Sequence, residues 1–285
     1  MSSLQSIAIV ARLTLREAVR RRLLWALVGL TILIVVLTWW AFSRIAEASP
    51  VIGPTQVLGI SQILVMLAFM FSFVLAMTAV FAASPAIGPE IESGLLLAML
   101  ARPLRRTEVL LGRWLGLASL LVVYALVAGY LEIGAVALAT GYVAADPTAA
   151  PPYLAAETLV LLTLALTFST RIASVAGGAV AVVAYGLAWM AGVMGGVGEA
   201  FNNDLLRTAG TATRLILPSD VLWRGAAGAL SPTTDVLSAS GVNAAIYKFS
   251  PFSGAAPSPE WLLWCILWIA GVLACGSFLF RRREL

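Results

Sequence analysis

The sequence contains no histidine, a single lysine (Lys248) and two cysteines, and only 11% of its 285 residues are charged. Without histidine the chain lacks the side chain that titrates near neutral pH and a common zinc ligand. That counts against histidine-based acid–base catalysis and against a zinc centre. Cys265 and Cys275 fall in one apolar run and read as small packed hydrophobes, silent about redox compartment. No Gly-x-x-x-x-Gly-Lys-Ser/Thr phosphate loop occurs, so the chain does not hydrolyse ATP by that route. The scarcity of charge has the largest consequence. Soluble domains carry about 25% charged and about 45–50% apolar residues, whereas here 61% are hydrophobic and the mean hydropathy is +0.96. A single soluble core cannot bury that much apolar side chain, so the chain reads as an integral membrane protein. The net charge of +4 does not point to nucleic acid, because the basic residues flank apolar segments.

Six runs are long and apolar enough to cross a hydrocarbon core of about 30 Å: 23–43, 57–83, 108–142, 153–170, 172–197 and 260–280. They are continuous rather than alternating, which excludes a β-barrel and leaves helices, the other structure that satisfies its own backbone in lipid. The fold class expected is therefore all-α, with six transmembrane helices. The third run is too long to stand upright and is expected to tilt or project. The run from Leu23 to Phe42 exceeds the roughly 7–15 residues of a signal h-region, so the first span is read as retained. With the N-terminus inside, thirteen of the eighteen basic residues fall on the inner side and five on the outer. This bias puts both termini in the cytoplasm.

Residues 3–22 read as an amphipathic elbow helix on the inner leaflet. Arg12, Arg16 and Arg20 recur on one face, and Ile7, Val10, Leu13 and Leu15 supply apolar surface. Between the last two spans, 199–259 is rich in proline and reads as an outer loop with short helices near 203–217 and 219–230, the second capped by Ser219.

The most informative stretch joins the second and third spans. Pro89 suits the first position of a helix, Glu90 and Glu92 favour its positive end, and Leu95, Leu96, Met99 and Leu100 give it an apolar side. Pro103 stops it beside Arg102, Arg105 and Arg106. The run Glu90-x-Glu92-x-Gly94, then Arg102-Pro103-x-Arg105-Arg106, then Gly112-Arg113-x-x-Gly116 resembles the membrane subunits of ABC-2 type transporters. Within them it most resembles the branch containing the permease of the nitrous-oxide-reductase maturation transporter. Leu95 stands where the family usually has threonine, and Arg113 where it often has lysine. The resemblance implies a single transmembrane domain over 1–285, with 84–106 as a cytoplasmic coupling segment seated on a separate ATPase subunit. Glu90 and Glu92 would offer carboxylates to that partner. Arg102, Arg105 and Arg106 would pair with acids or hold leaflet phosphates. ATP and Mg would be bound by two copies of the partner, with no cofactor in this chain. A second copy of the permease, or a paralogue, would complete a homodimer or heterodimer in a bacterial inner membrane, with export by alternating access.

Other residues leave alternatives open. Glu132 is about 24 residues beyond Glu108, roughly 36 Å along a helix, which places it near the outer headgroups, and Glu157 similarly. Each is either an interfacial acid or part of a polar translocation lining. The pairs Gly112/Gly116 and Gly192/Gly196 mark close helix packing, within the chain or at a dimer seam. Two rival functions remain: an ion-driven secondary transporter, which needs mid-membrane ionisable groups, and an ATPase-linked membrane scaffold that transports nothing. No catalytic constellation and no metal site are expected.

Overall fold

Long apolar runs in lipid must bond their own backbone, and the structure, a computed structural model, answers with helices. It describes residues 3–20, 22–48, 53–86, 105–233, 236, 239 and 252–282. In chain order these form α1 (Ser3–Arg20), α2 (Arg22–Ala48), α3 (Pro54–Ala83), α4 (Arg106–Thr140), α5 (Ala150–Ser169), α6 (Ser174–Ala200), α7 (Asp204–Ile216), α8 (Ser219–Leu230) and α9 (Pro259–Arg281), with a 3-10 turn at Ser84–Ala86. No strand occurs among the described residues. Helices α2, α3, α4, α5, α6 and α9 are the six long and apolar enough to span a membrane. The fold is thus an all-α integral membrane protein. Helix α2 runs past the apolar segment because Arg44 Nη1 bonds Glu47 Oε2 at 2.9 Å, an i,i+3 pair that extends the helix in polar surroundings. Proline starts α3, and Gln56 Oε1 accepts the Gly53 N–H just ahead of it at 2.9 Å. Helix α4 ends at Gly141, whose φ of 72° lies in the left-handed region that side chains disfavour.

Helix α5 is the axis of the bundle. It packs against α3, α4, α6, α8 and α9, and Leu161, Leu162, Ala165 and Leu166 on it are fully buried. The surrounding helices leave their outer faces to lipid, as Leu263, Ile266 and Leu267 of α9 do.

Helix α1 is not held by its large apolar residues. Ser6 and Thr14 are its buried positions, while Leu4, Ile9 and Leu13 are exposed. Leu13, expected to supply apolar surface for the leaflet, does face outward. The docking surface is made of small groups. A Cβ built on Gly112 would meet Val10 Cγ1 at 2.7 Å and Ile7 O at 2.9 Å, and one on Gly116 would meet Ala11 O at 2.6 Å and Thr14 Cβ at 2.9 Å. Two bare helix faces thus bring α1 into backbone contact with the base of α4, where dispersion replaces any solvent-driven term.

Residues 199–233 depart furthest from an outer loop. Asn203 caps α7 by accepting the Leu206 N–H at 3.2 Å. Helix α7 then runs back along α6, with Gly210 against Gly195 so closely that a Cβ on Gly195 would lie 3.2 Å from Gly210 Cα. At the turn, Trp264 Nε1 donates to Leu215 O at 3.2 Å and Trp268 Nε1 to Ile216 O at 2.7 Å. Trp268 is nine residues into α9, roughly 14 Å along it at 1.5 Å per residue. Helix α8 returns, almost wholly buried against α5 and α3. Its end is clasped by the α4–α5 loop through Tyr142 Oη to Leu230 O (2.9 Å) and Asp146 N to Ala229 O (3.0 Å). Helices α7 and α8 are therefore a re-entrant hairpin. Proline and polar residues look like loop to a hydropathy scan, but here they form the turn and lining of an inserted pair.

Replacing Gly116 by Leu is expected to destabilise the protein by about 1–3 kcal/mol through overpacking and to free α1 for limited proteolysis. Gly134→Ala, where a Cβ meets nothing within 4 Å, is expected to leave both thermal unfolding and proteolysis unchanged.

Candidate functional site

The coupling residues Glu90, Glu92, Gly94, Arg102 and Pro103 lie outside the described residues. The two ends of that segment are defined. Arg113 of α4, nine-tenths buried, donates from Nη1 to the carbonyl of Ala86, where α3 ends. At the other end, the Arg105 N–H donates to Glu108 Oε2 at 3.1 Å, fixing the first turn of α4. Arg106 Nη1 donates to Phe280 O at 3.3 Å and Arg171 Nη2 to Leu279 O at 2.9 Å, so two guanidinium groups sit on the negative end of α9. Arg105 is exposed, and Arg12, Arg16 and Arg20 are exposed on α1. Ala86 and Arg105, the described residues flanking 87–104, thus stand at a mouth whose rim ties the turn after α3, α4 and α9 together by charge-assisted bonds to carbonyls.

A second constellation lies within the spans. Ser72 Oγ of α3 donates to Glu157 Oε2 of α5 at 2.8 Å and lies 3.1 Å from Tyr185 Oη of α6. These positions are eleven or twelve residues from the ends of α3, α5 and α6 on the α1 side, roughly 16–18 Å along each helix. That is near the middle of a core about 30 Å thick. Glu157 is only 2% exposed, so the expectation of an interfacial acid fails for it. Counting from the third span misled because α5 starts at Ala150 and brings Glu157 inward, under the loop and the hairpin. Among the described residues, Glu157 Oε1 and the Trp189 and Trp223 indole nitrogens are buried without a hydrogen-bond partner. Glu132 has a different setting. Its Oε1 accepts from Thr38 Oγ1 at 2.7 Å, and about two turns below it Thr31 Oγ1 meets Tyr124 Oη at 2.6 Å. Both bonds join α2 to α4, so Glu132 braces two spans and does not adjoin Glu157.

The third group escaped the sequence reading. Asp220 of α8 is 2% exposed in its side chain, and its Oδ2 accepts from Arg214 Nε at 2.8 Å and from Arg224 Nε at 3.0 Å. Arg224 Nη2 also donates to Gly192 O at 2.7 Å. The Asp220 carboxylate fills the space a side chain at Gly192 would take, and Gly196 faces the Arg224 guanidinium, a Cβ there lying 3.5 Å from Nη2. Gly192 and Gly196 therefore face a salt-bridge cluster within the chain. Arg214 and Arg224 are two of the five basic residues that the charge count puts on the outer side. The spacing Asp220-x-x-x-Arg224 on a helix whose other residues are small or apolar was the available signal.

Replacing Asp220 by Asn removes the counter-charge from two guanidinium groups that are each 17% exposed. The expected loss is about 3–5 kcal/mol in thermal unfolding. Asp204→Asn, a pair whose carboxylate is 95% exposed, is expected to change it by less than about 0.5 kcal/mol.

Residues 8–285 match the profile of a family described as ABC-2 family transporter protein. No individual curated protein matches the chain. The matched span runs from within α1 through every helix to the C-terminus, including the mouth that holds 87–104, the mid-span polar group and the hairpin. The chain belongs to the ABC-2 transporter family, whose members are membrane-spanning components of ABC transporters that work with an ABC ATPase.

Proposed function

We propose that this chain is the permease of an ATP-driven exporter, moving its cargo by alternating access under the control of a separate ATPase subunit. The observation that carries the reading is the mouth at Ala86 and Arg105. The described residues on either side of the segment resembling a coupling helix are bonded to the spans, Ala86 to Arg113 of α4 and Arg106 to Phe280 of α9, so a push delivered there reaches α4 and α9. Glu90 and Glu92 present carboxylates to the ATPase from the start of a helix that Pro89 opens and Pro103 ends, with Gly94 within it. Arg102 and Arg105 meet partner acids or leaflet phosphates. Two ATPase copies work with two permeases, identical or paralogous, in a bacterial inner membrane. The termini are cytoplasmic, and α1 lies on the inner leaflet with Arg12, Arg16 and Arg20 toward the phosphates. The charge pattern of 84–116 supports placing the chain beside the nitrous-oxide-reductase maturation branch.

The far end is closed in this conformation by α7 and α8, held by Asp220. Opening there requires Arg214 or Arg224 to exchange its partner. Because a ligand shifts an equilibrium only through differential affinity, ATP binding favours the outward form only if that form makes the better ATPase contact. Glu157, Ser72 and Tyr185 form a polar set behind α3 and α6 that faces cargo once those helices part.

Glu157 also favours a second reading, an ion-driven carrier, since a buried mid-span carboxyl is what such a carrier requires. The two separate by purification. The permease taken gently from its host is expected to bring a stoichiometric subunit carrying a phosphate loop, and the double variant Glu90→Arg, Glu92→Arg is expected to lose it. A chain that purifies alone and moves solute under an ion gradient would overturn the ATPase reading.

A further inference from the structure

A cavity of about 340 Å³ lies between α2 and α3, floored by α4 and closed at one end by α1. It exists because α2 packs along α4 and makes no substantial contact with α3. Its length follows from its lining. On α4 it reaches from Arg113 to Tyr124, eleven residues or roughly 16 Å, and half of a hydrocarbon core is about 15 Å. The cavity therefore spans one leaflet, the one on the α1 side. At its deep end Tyr124 bonds Thr31 at 2.6 Å, and at its foot lie Thr14 and Arg113. Between them the wall is almost all hydrocarbon, with Leu27, Phe73, Phe81 and Leu121 upon it, and Phe73 and Phe81 are 46% and 63% exposed at the lipid-facing side.

The contents can be argued from the walls. Water needs two to four polar partners. The Thr78 hydroxyl is spent on Val74 O at 2.7 Å and the Tyr124 hydroxyl on Thr31, so the wall does not hold water. A single methylene chain, whose packed neighbours lie about 4 Å away, suits a hydrocarbon-walled groove one leaflet long. The foot is lined by Thr14, Glu17 and Ala18 of α1 and by Arg113 of α4, and Arg12, Arg16 and Arg20 are exposed elsewhere on α1. Arg113 and those exposed arginines supply the positive charge for a phosphate at the membrane surface.

We propose that this groove is a binding site for one acyl chain of a phospholipid from the leaflet on the α1 side, its headgroup beside α1 and its chain end under Tyr124. The site belongs to the permease itself and is independent of the cargo and of the ATPase. A chain seated there fills the gap that α2 would otherwise close onto α3, so lipid occupancy sets the spacing of those spans.

The test is photolabelling of the protein reconstituted in phosphatidylethanolamine and phosphatidylglycerol vesicles, with phospholipid carrying a diazirine either at the chain terminus or next to the ester. The terminal probe is expected to label Phe73 and Tyr124, and the ester-proximal probe Phe81 and Ala18. Each is expected to exceed labelling of the lipid-facing Leu263, Ile266 and Leu267 on α9 at least several-fold. Thr78→Trp, which fills the groove, is expected to abolish the excess while leaving α9 labelling unchanged. Should that variant fail to fold, the inverted pattern of the two probes on the unaltered protein decides. Labelling equal to that of α9, meaning annular lipid only, would overturn the proposal. So would a pattern indifferent to probe position, or crosslinks from Phe81 to a second copy of the chain.

Discussion

The shared carboxylate of Asp220 is the contact on which the far half of the molecule depends. A polar hairpin enters a bundle of apolar spans only if its charges arrive partnered. Asp220 achieves that by accepting from Arg214 before it in the chain and Arg224 after it. Arg214 closes α7 onto α8, and Arg224 extends the same cluster to the Gly192 carbonyl of α6. Remove the carboxylate and two guanidinium groups lose their only acid in the cluster beside Gly192 and Gly196. The glycines follow from the same need, since the carboxylate lies where a Cβ on Gly192 would be. A buried ion group of this kind is weak as a source of net stability and strong as a specifier of one arrangement. That property suits a gate that must hold and then exchange partners.

The opposite end uses the same chemistry with backbone partners. Arg113, Arg106 and Arg171 spend their charge on the carbonyls of Ala86, Phe280 and Leu279. Helix ends leave carbonyls unsatisfied, and arginine supplies several donors from one side chain. The helix ends on the α1 side are thus fastened together beside Ala86 and Arg105, while the far ends are fastened through Asp220. Between the two fastened ends stands α5, with Glu157 bonded to Ser72 and one oxygen unused among the described residues.

Much of this was legible along the chain. Continuous apolar runs announced six spans because lipid leaves the backbone only one local solution. Pro54 and the Arg105–Glu108 box marked helix starts for equally local reasons. The pair Gly112/Gly116 was visible as a place for close approach, but its neighbour was not. The face of α1 that meets it is Ser6, Val10, Ala11 and Thr14, which carries little hydropathy signal. Glu157 was misplaced because depth was counted along one helix, whereas its position depends on where α5 begins relative to its neighbours. The two short helices of the hairpin were legible near 203–217 and 219–230, but not their insertion. A segment holding Arg207, Arg214, Asp220 and Arg224 averages as polar, and an average cannot register that three of those charges share one ion-pair cluster.

Composition and periodicity therefore determined by themselves that the chain is helical, membrane-embedded and without its own phosphate loop, since each of these rests on local chemistry. Charge order at 84–116 carried the family signal for the same reason. Only the tertiary structure decided which polar residues are buried together and at what depth. Asp220 with Arg214, Glu157 with Ser72, and Arg106 with Phe280 are pairs formed between separate helices. In a medium without water, a charge is tolerated or costly according to its partner, and the partner is set by the folding of the whole bundle.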